Sequence, residues 1–358
     1  MKLCCVTGGT GGHIYPALAL ADKFMALYPD SKVLFIGNDD RMEADLIPEY
    51  GYDFKALHTS GLVGSLFSKA KAVGQMFLAY QKSKKYLKEF KPDLVIGFGG
   101  YVSAPVILAA HSLNIPTMIH EQNSIVGKAN QLVMNKVDMI VTCYEKCEEI
   151  FPKDKIVLLG NPRATIAKEA SFDSAYFESL GLDLDRKTIL IMMGSLGSSS
   201  VNALMKEALK DMPEDLQFLY VCGKDNQADL DMFSGQSNVF VTAYVDTLKI
   251  YSHIDGLICR AGATTLAELT ALGIPSILIP SPYVAGNHQF YNASVLVERK
   301  AAMMIEEKDL NSVTLKTKIQ ELFLDDAMAN LVSKQALAFG KPEAAYDIVQ
   351  QIVDLIRK

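Results

Sequence analysis

The feature that most constrains this sequence is an alternation of short apolar runs with helix-length amphipathic segments along its 358 residues. This alternation is typical of α/β proteins with parallel sheets, because each crossover between parallel strands needs a helix. A first series of strands is predicted at 2–6, 32–36, 94–97, 117–120, 139–142 and 156–159. A second series is predicted at 188–192, 217–221, 238–241, 256–259 and 276–279. Each series opens with a strand, a glycine-rich turn and a helix, so we expect two similar, doubly wound sheets.

The length of the chain suits two domains of middling size. A turn-rich stretch at 160–163, Gly-Asn-Pro-Arg, lies between the two series and is typical of a hinge. We therefore predict domains at 1–162 and 163–340, with the last helical stretch at 343–358 crossing back to pack on the first. In doubly wound sheets, ligands gather at the carboxyl ends of the strands, here in a cleft between the domains.

Composition narrows the class of protein. Hydrophobic residues make up 49% and charged residues 21% of the chain, which is typical of globular proteins. The net charge of −6 argues against a nucleic-acid partner. The six cysteines show no disulfide framework, so we expect reduced thiols and a cytosolic compartment. No signal peptide and no apolar run of membrane-spanning length is evident, so we expect a chain that does not cross a membrane.

The loop after the first strand reads Thr-Gly-Gly-Thr-Gly-Gly-His at 7–13. Its four glycines allow a ligand to approach the backbone closely, and the following helix offers its first N–H groups to an anion. The spacing is not the G-x-G-x-x-G of dinucleotide-binding proteins, because Ile14 stands where the third glycine would be. His13 ends the loop, where its imidazole either reaches a bound hydroxyl or caps and packs the turn.

Two further stretches of the first half carry polar or glycine-rich patterns at strand ends. The glycine turn at 97–101 can cradle a phosphate or serve as a tight strand-to-helix turn. The run His-Glu-Gln-Asn at 120–123 places four polar side chains after an apolar strand. One polar residue there is ordinary, whereas four in a row favour the lining of a site.

The most informative stretch of the second half follows the strand at 256–259. Small residues and two threonines open a helix there, and its first amides and its dipole suit a diphosphate. Glu268 is one turn further along the same face, where a carboxylate suits the two hydroxyls of a ribose. Gln289, on the next predicted helix, can donate and accept hydrogen bonds as the reading of sugar hydroxyls requires. The helix is expected to stop at Gly273.

Metal chemistry is poorly supported. The two Asp-x-Asp patterns, at 183–185 and 229–231, fall in polar, turn-rich stretches, and we interpret them as surface. No divalent metal or other cofactor is therefore predicted.

A charge anomaly predicts a membrane-surface segment. Residues 54–88 contain seven lysines and no acid, with apolar residues between them, in an otherwise acidic protein. Lysines mixed with apolar anchors are typical of segments that lie on anionic lipid. The alternative is an ordinary amphipathic helix with a solvated lysine face.

Taken in order, these motifs resemble one family. They are the glycine loops, the run at 120–123, Gly-Asn-Pro at 160–162, Gly194-Ser195, the stretch 260–268 and the run around 288–293. The chain is similar to the MurG family, UDP-GlcNAc transferases that convert lipid I to lipid II in bacterial peptidoglycan synthesis. The resemblance implies a GT-B fold, inversion at the anomeric carbon, and a peripheral position on the cytoplasmic face of the cell membrane. The partners it implies are UDP-GlcNAc, undecaprenyl-linked lipid I, anionic lipid and other cell-wall synthesis proteins.

The resemblance also assigns roles to particular residues. The donor diphosphate would be met by Ser195 and the helix start, the ribose by Glu268, the uracil by the backbone of Val245 and the GlcNAc hydroxyls by Gln289. On these grounds the predicted site consists of His13 as general base with Glu121 in reserve, and of Thr10, Gly11, Gly12, Asn123, Arg163, Ser195, Val245, Ala263, Thr264, Thr265, Leu266, Ala267, Glu268 and Gln289.

Two departures from the family pattern stand out. Leu196 occupies the place of the usual glutamine, and Arg163 follows Pro162 directly where many members have an intervening residue. Three other functions remain open at this stage: a related transferase acting on diacylglycerol, a nicotinamide-dependent oxidoreductase, and a non-catalytic nucleotide-sugar sensor.

Overall fold

The computed structural model describes residues 1–61, 65–193, 199–210, 212–223, 233 and 235–357, and for 66–69 and 199–203 it describes the backbone only. The chain divides into two compact units, one formed by Met1–Thr165 with Glu343–Lys358 and one by Ile166–Pro342. The division falls within α6 (Arg163–Glu169), just after the turn-rich stretch at 160–163.

The first unit contains a seven-stranded sheet in the order β3-β2-β1-β4-β5-β6-β7, with every neighbouring pair parallel. Its strands are β1 (Lys2–Val6), β2 (Lys32–Asn38), β3 (Asp53–Leu57), β4 (Leu94–Gly97), β5 (Thr117–Glu121), β6 (Met139–Thr142) and β7 (Ile156–Leu158). All six predicted strands of the first series are confirmed. β3 escaped prediction because this edge strand alternates polar and apolar residues and is only partly buried.

The helices of the first unit cover both faces of this sheet. They are α1 (Gly11–Leu27), α2 (Glu43–Glu49), α3 (Leu66–Phe90), α4 (Ser103–Ser112), α5 (Lys128–Val133) and α13 (Ala344–Arg357). The C-terminal helix α13 packs against α1, where Ile348 and Ile352 enter the same apolar cluster as Leu20 and Phe24. Its start is fixed by the N–H of Ala345, which donates to Thr165 Oγ1 at 2.9 Å.

The second unit contains a six-stranded parallel sheet in the order β10-β9-β8-β11-β12-β13. Its strands are β8 (Lys187–Met192), β9 (Leu216–Val221), β10 (Val239–Thr242), β11 (Gly256–Cys259), β12 (Ser276–Leu278) and β13 (Met303–Met304). The five predicted strands of the second series are confirmed. The pattern missed β13, which is only two residues long and lies at the sheet edge.

The remaining helices are α7 (Ser174–Ser179), α8 (Ser199–Ala208), α9 (Ala263–Leu272), α10 (His288–Glu298), α11 (Ser312–Phe323) and α12 (Asp326–Phe339). α9 ends as predicted, because Gly273 adopts the left-handed conformation at φ 69° and its N–H reaches back to carbonyls of the last turn. The core of this unit forms around Ile191, Phe218 and Ile258 of the sheet, with Leu322 and Phe323 of α11 packed on it.

Candidate active site

Both sheets reverse their strand order at one place, which fixes where a ligand can bind. The reversal lies between β1 and β4 in the first sheet and between β8 and β11 in the second. In doubly wound folds the crevice for ligands opens at this switch point, at the carboxyl ends of the strands. The loops that follow β1, β4 and β11 therefore contain the candidate site residues. The turn after β8, including predicted Ser195 and the neighbouring Leu196, lies outside the described residues.

The first glycine loop connects β1 to α1. Thr10 is the extended N-cap residue of α1 and its side chain makes no capping bond, so the first amides of the helix are left to other acceptors. Thr10 and Gly12 are exposed, and Gly11 and His13 are half-buried. The Nδ1 of His13 lies 3.0 Å from the carbonyl oxygen of Gly8, which can only accept. The neutral imidazole is therefore protonated on Nδ1, and Nε2 is the nitrogen with the lone pair.

The second glycine loop, after β4, contacts the first. Gly99 and Gly100 both have positive φ, at 101° and 81°. A Cβ on Gly99 would lie 3.0 Å from His13 Nε2, and a Cβ on Gly100 would lie 2.5 Å from the Gly8 carbonyl oxygen. Glycine is thus required twice over, by backbone conformation and by space. The glycines of this loop serve the packing of His13 and of the first loop.

The polar run at the end of β5 is structural in three of its four residues, which corrects its interpretation as a site lining. His120, Glu121 and Gln122 are all at most 2% exposed. His120 Nε2 donates to the Gly160 carbonyl at 2.9 Å, and Gln122 donates to the Phe98 carbonyl at 2.8 Å. These bonds tie β5 to the turn after β7 and to the second glycine loop.

Glu121 is placed as an anchor for a loop rather than as a proton acceptor for a substrate. Its carboxylate accepts hydrogen bonds from the N–H groups of Asn123 and Gly127 and from the amide of Asn130. Burial raises the pKa of Glu121, while these donors act against that rise. Because its oxygens face backbone amides in the interior, the reserve role as base that the sequence assigned to Glu121 does not fit this geometry.

Asn123 and Arg163 complete the predicted residues of the first unit. Asn123 is the one residue of the polar run that is half-buried rather than buried. Arg163 begins α6, and its guanidinium lies 5.8 Å from the centroid of the Tyr15 ring. Tyr15 is two residues from His13 on α1, so Arg163 adds positive charge beside the first glycine loop.

The start of α9 forms the corresponding feature of the second unit. Gly262 is its extended N-cap residue, and a Cβ there would meet no atom within 4 Å. Ala263, Thr264, Thr265 and Ala267 are half-buried, and Leu266 is buried in the core. The first intrahelical bond is donated by Leu266 to Gly262, so the amides before it point out of the helix. Thr264 Oγ1 is buried without a hydrogen-bond partner among the described residues.

Glu268 lies one turn further along α9 and is 4% exposed. Its carboxylate accepts a hydrogen bond from the Tyr251 hydroxyl at 3.2 Å. Burial raises the pKa of Tyr251 and the charge of Glu268 raises it further, so the phenol keeps its proton as a donor. The carboxylate is therefore oriented from within the protein, which makes Glu268 a fixed acceptor rather than a solvated surface acid.

Gln289 and Val245 are the remaining predicted residues of the second unit. The side-chain oxygen of Gln289 accepts from the N–H of Ser281 at 2.9 Å. This bond fixes the orientation of the side-chain amide, whose nitrogen is a donor. Val245 follows β10 and is buried, next to the exposed Tyr244. Asn292, on α10, donates to the Ala261 carbonyl at 3.4 Å and so supports the turn before α9.

Of the two Asp-x-Asp patterns, the structure describes one. Asp183 and Asp185 are exposed, and Asp183 accepts from the N–H of Asp185 in a local turn. The pattern at 229–231 lies outside the described residues.

The lysine-rich segment forms two elements rather than one. Phe54 and Lys55 lie on β3, which corrects the prediction of a single interfacial segment, while the lysines from Lys69 onward lie on the helix α3. On α3, Val73, Phe77 and Leu78 are 58%, 62% and 68% exposed. Among the described residues, no helix combines the length and the apolar character needed to span a bilayer.

Glu43 is the residue of the first unit that sequence reasoning missed. It is wholly buried, and its carboxylate accepts from the N–H groups of Gly9 and Asn38 at 3.1 and 3.0 Å. An acid at the start of a short helix gives no sequence signal of burial. The signal that was available is the pair Gly8 and Gly37, since a Cβ at either would collide with the Glu43 side chain.

Two doubly wound parallel sheets, with glycine loops at the switch point of the first and an open helix start at that of the second, form a GT-B fold. The sequence matches the glycosyltransferase family 28 N-terminal domain over residues 3–142 and the family 28 C-terminal domain over residues 188–352. This chain belongs to glycosyltransferase family 28.

Individual relatives give the same result over the full length. A protein of Listeria welshimeri is 39% identical over 100% of both chains, and one of Pediococcus pentosaceus is 40% identical over 98% of this chain and 99% of its own. Both are named UDP-N-acetylglucosamine–N-acetylmuramyl-(pentapeptide) pyrophosphoryl-undecaprenol N-acetylglucosamine transferase. Among solved structures, MurG of Acinetobacter baumannii matches with a TM-score of 0.79 and 25% identity over 99% of each chain.

Proposed function

We propose that this chain is a hexosyltransferase that moves N-acetylglucosamine from UDP-GlcNAc to the C4 hydroxyl of the muramyl sugar of lipid I. The reaction inverts the anomeric carbon and makes lipid II for peptidoglycan synthesis. The observation that carries this proposal is the similarity to the Listeria welshimeri transferase, which covers the whole of both chains at 39% identity. The positions of His13 and of the α9 helix start support it.

The acceptor hydroxyl is a weak nucleophile, so it needs a base as it attacks the anomeric carbon. His13 supplies that base in our proposal, because its Nδ1–H is engaged by the Gly8 carbonyl and its lone pair is on Nε2. Thr10, Gly11, Gly12 and Asn123 would line the acceptor side. The hydroxyl proton passes to Nε2 as the bond from oxygen to the anomeric carbon forms and the bond to the diphosphate breaks.

The leaving UDP gains negative charge, which amides at a helix start can stabilise. In our proposal the N–H groups of 263–265 and the hydroxyl of Thr264 hold the diphosphate, together with Ser195. Glu268 accepts from the ribose hydroxyls, the backbone of Val245 meets the uracil and Gln289 reads the GlcNAc hydroxyls. Because these groups carry the charge, we propose that no divalent cation is needed. Transfer at an unchanged rate in excess EDTA is expected, and loss of transfer that Mg²⁺ restores would contradict this part.

The acceptor is tested by substrate competition. Purified protein is given radiolabelled UDP-GlcNAc with lipid I in one reaction and with diacylglycerol in another. Transfer to lipid I alone is expected. Transfer to diacylglycerol alone would replace the proposal by the related glycolipid transferase, and transfer to neither with intact UDP binding would favour a nucleotide-sugar sensor. Tight binding of NAD(H) without binding of UDP would favour an oxidoreductase.

We also propose that α3 places the protein on the cytoplasmic face of the cell membrane as a peripheral protein. The apolar side chains Val73, Phe77 and Leu78 are exposed near its N-terminal half, and Lys71, Lys82, Lys85 and Lys88 are exposed on the same helix. Each lysine near an anionic surface contributes about 1 kcal/mol to binding. The exposed apolar side chains would enter the interface.

This membrane proposal is tested by flotation with liposomes at low salt. Stronger retention on liposomes containing anionic lipid than on neutral ones is expected, with a marked loss of retention in Phe77→Ser/Leu78→Ser. Leu331→Ser, at a 42%-exposed position of α12, is the matched control. Equal retention on both kinds of liposome, or equal effects of the two variants, would contradict the membrane role of α3.

A further inference from the structure

We propose that Glu43 is a positioning residue that orients and activates His13 through the peptide bond between Gly8 and Gly9. This inference rests on the proposed role of His13 as base and adds a residue behind it. The observation is that one peptide group is hydrogen-bonded on both sides. Its N–H, on Gly9, donates to Glu43 Oε2 at 3.1 Å, and its carbonyl, on Gly8, accepts from His13 Nδ1 at 3.0 Å.

A carboxylate that binds one end of a peptide group changes the other end. The amide is polarised when its N–H donates to a negative charge, so its carbonyl becomes a stronger acceptor. A stronger acceptor at Gly8 favours the Nδ1–H tautomer of His13 and stabilises the imidazolium formed when Nε2 takes a proton. The effect resembles that of a carboxylate that orients a catalytic histidine directly, with a peptide group inserted between them.

The surroundings of Glu43 leave the Gly8–Gly9 peptide group as one of its few hydrogen-bond partners among the described residues. The side chain is 0% exposed, and among the described residues its second oxygen accepts from the N–H of Asn38, at 3.0 Å. Among the described residues, no lysine, arginine or histidine lies within ion-pair distance of it. Protonation of His13 would place a compensating positive charge at the far end of the same hydrogen-bonded chain.

The backbone around Glu43 is shaped to admit it. Glycines stand at Gly8 and Gly37, and a Cβ on Gly37 would lie 2.6 Å from Glu43 Cγ. A Cβ on Gly8 would collide with the carboxylate itself. Gly8, in the loop after β1, and Gly37, on the neighbouring strand β2, thus leave the space that the carboxylate fills beneath the first glycine loop.

Other titratable groups near His13 act in the opposite direction. His120, on β5, is close enough for the two imidazoles to repel each other when charged. From α6, Arg163 approaches over the Tyr15 ring. The glycine loop before α4 contributes Gly99, which has no charge. The lowered pKa of His120 keeps its ring neutral near pH 7, so Arg163 is the positive neighbour that Glu43 offsets.

The experiment is NMR of the full-length protein labelled with ¹⁵N-histidine, in which the His13 signals are assigned by their absence from His13→Ala. The wild-type ring should show the Nδ1–H tautomer at high pH. In Glu43→Gln the fraction of this tautomer should fall and the titration midpoint of His13 should move to lower pH. Glu49→Gln, the same change at an exposed position of α2, should leave both unchanged.

The kinetic counterpart is the pH profile of kcat/KM for transfer. In Glu43→Gln we expect kcat/KM to fall roughly 10- to 100-fold, the loss typical of removing an orienting partner. Its limb on the acidic side should move with the His13 midpoint. A change that only loosened the loop would lower kcat/KM without moving the limb.

Folding is checked by the UDP affinity and the circular dichroism spectrum of each variant. Should Glu43→Gln not fold, Glu43→Asp keeps the charge and sets it back by one methylene, and an intermediate fall of the Nδ1–H fraction is expected. The inference is overturned if either folded variant leaves the tautomer and the midpoint of His13 at their wild-type values. The proposed base fails separately, if His13→Ala transfers at the wild-type rate.

Discussion

The two sheets share the strand order 3-2-1-4-5-6 from their first strand onward, yet the loops at their switch points are held in different ways. In the first unit, buried carboxylates accept from loop amides: Glu43 binds the N–H of Gly9, and Glu121 binds those of Asn123 and Gly127. In the second unit, Glu268 accepts instead from a side chain, the Tyr251 hydroxyl. Within the described part of the chain, no carboxylate accepts a hydrogen bond from the first amides of α9.

This difference corresponds to two kinds of chemistry. Acids that accept from loop amides hold the backbone of the first unit's loops, and a histidine proposed as base would need such support to keep one orientation. A helix start left open suits an incoming diphosphate, which brings its own negative charge. The shared topology therefore positions a ligand-binding site in each unit. The groups that accept from the loop amides determine which chemistry that site can support.

The largest expected effect is on catalysis by the first unit. His13→Ala should lower kcat by about 10²- to 10⁴-fold, the range of a lost general base. UDP binding, measured by calorimetry, should be unchanged because the donor residues lie in the second unit. His111→Ala, an exposed histidine of α4 in the same unit, is the control and should transfer at the wild-type rate. If His13→Ala transferred at the wild-type rate, the first unit would not supply the catalytic base and this contrast between the units would fail.

A second prediction concerns the pH dependence of stability in the first unit. Burial, with a smaller contribution from His13, lowers the pKa of His120 from an ordinary value of 6.5 to about 4, although the hydrogen bond to the Gly160 carbonyl acts to raise it. Between these values the unfolded chain binds a proton that the folded chain does not, so stability falls as pH falls through this window. The loss below the window is about 3 kcal/mol, at 1.36 kcal/mol per pH unit.

The measurement is urea unfolding between pH 7 and pH 4, compared between wild type and His120→Gln. Glutamine can donate to the Gly160 carbonyl but takes up no proton. The raised pKa of Glu121 works in the opposite direction and is present in both proteins, so it cancels in the difference. The stability of wild type relative to the variant should fall toward pH 4. Parallel curves for the two proteins would show that His120 is not kept neutral by the fold.

The third prediction compares glycines of the two units. Gly100→Ala places a Cβ 2.5 Å from a backbone oxygen at φ 81°, whereas Gly262→Ala meets no atom within 4 Å at negative φ. Strain of this kind costs about 1–3 kcal/mol, and a change that meets no atom and no strain stays within about 0.5 kcal/mol. We expect a lower urea midpoint for Gly100→Ala only. Gly262→Ala should instead weaken UDP binding. Equal urea midpoints for Gly100→Ala and Gly262→Ala would contradict the tighter packing of the first unit's loops.

Sequence patterns predicted the sheets well because strand burial leaves a strong apolar signal, as at Leu94–Gly97 and Gly256–Cys259. They predicted the end of α9 because a glycine such as Gly273 readily adopts the left-handed conformation that terminates a helix. They could not separate a polar residue that lines a site from one that supports it. Gln122 and Glu121 follow an apolar strand in either case, and only the carbonyl and amide partners brought near by the fold distinguish the two. Glu43 was missed for the same reason.

The last prediction tests the open helix start of the second unit. The hydroxyl of Thr264 is buried without a hydrogen-bond partner among the described residues, and in our proposal a bound diphosphate is its acceptor. A hydrogen bond to a charged group contributes about 1.5–3 kcal/mol, so Thr264→Val should weaken UDP binding roughly 10- to 100-fold in calorimetry. Stability should not fall, because valine has the same shape and relieves an unpaired buried hydroxyl. Thr317→Val, at an exposed position of α11, is the matched control. If UDP bound Thr264→Val and Thr317→Val equally well, the start of α9 would not be the diphosphate site. The contrast between the two units would then be supported only by the observations on the first unit.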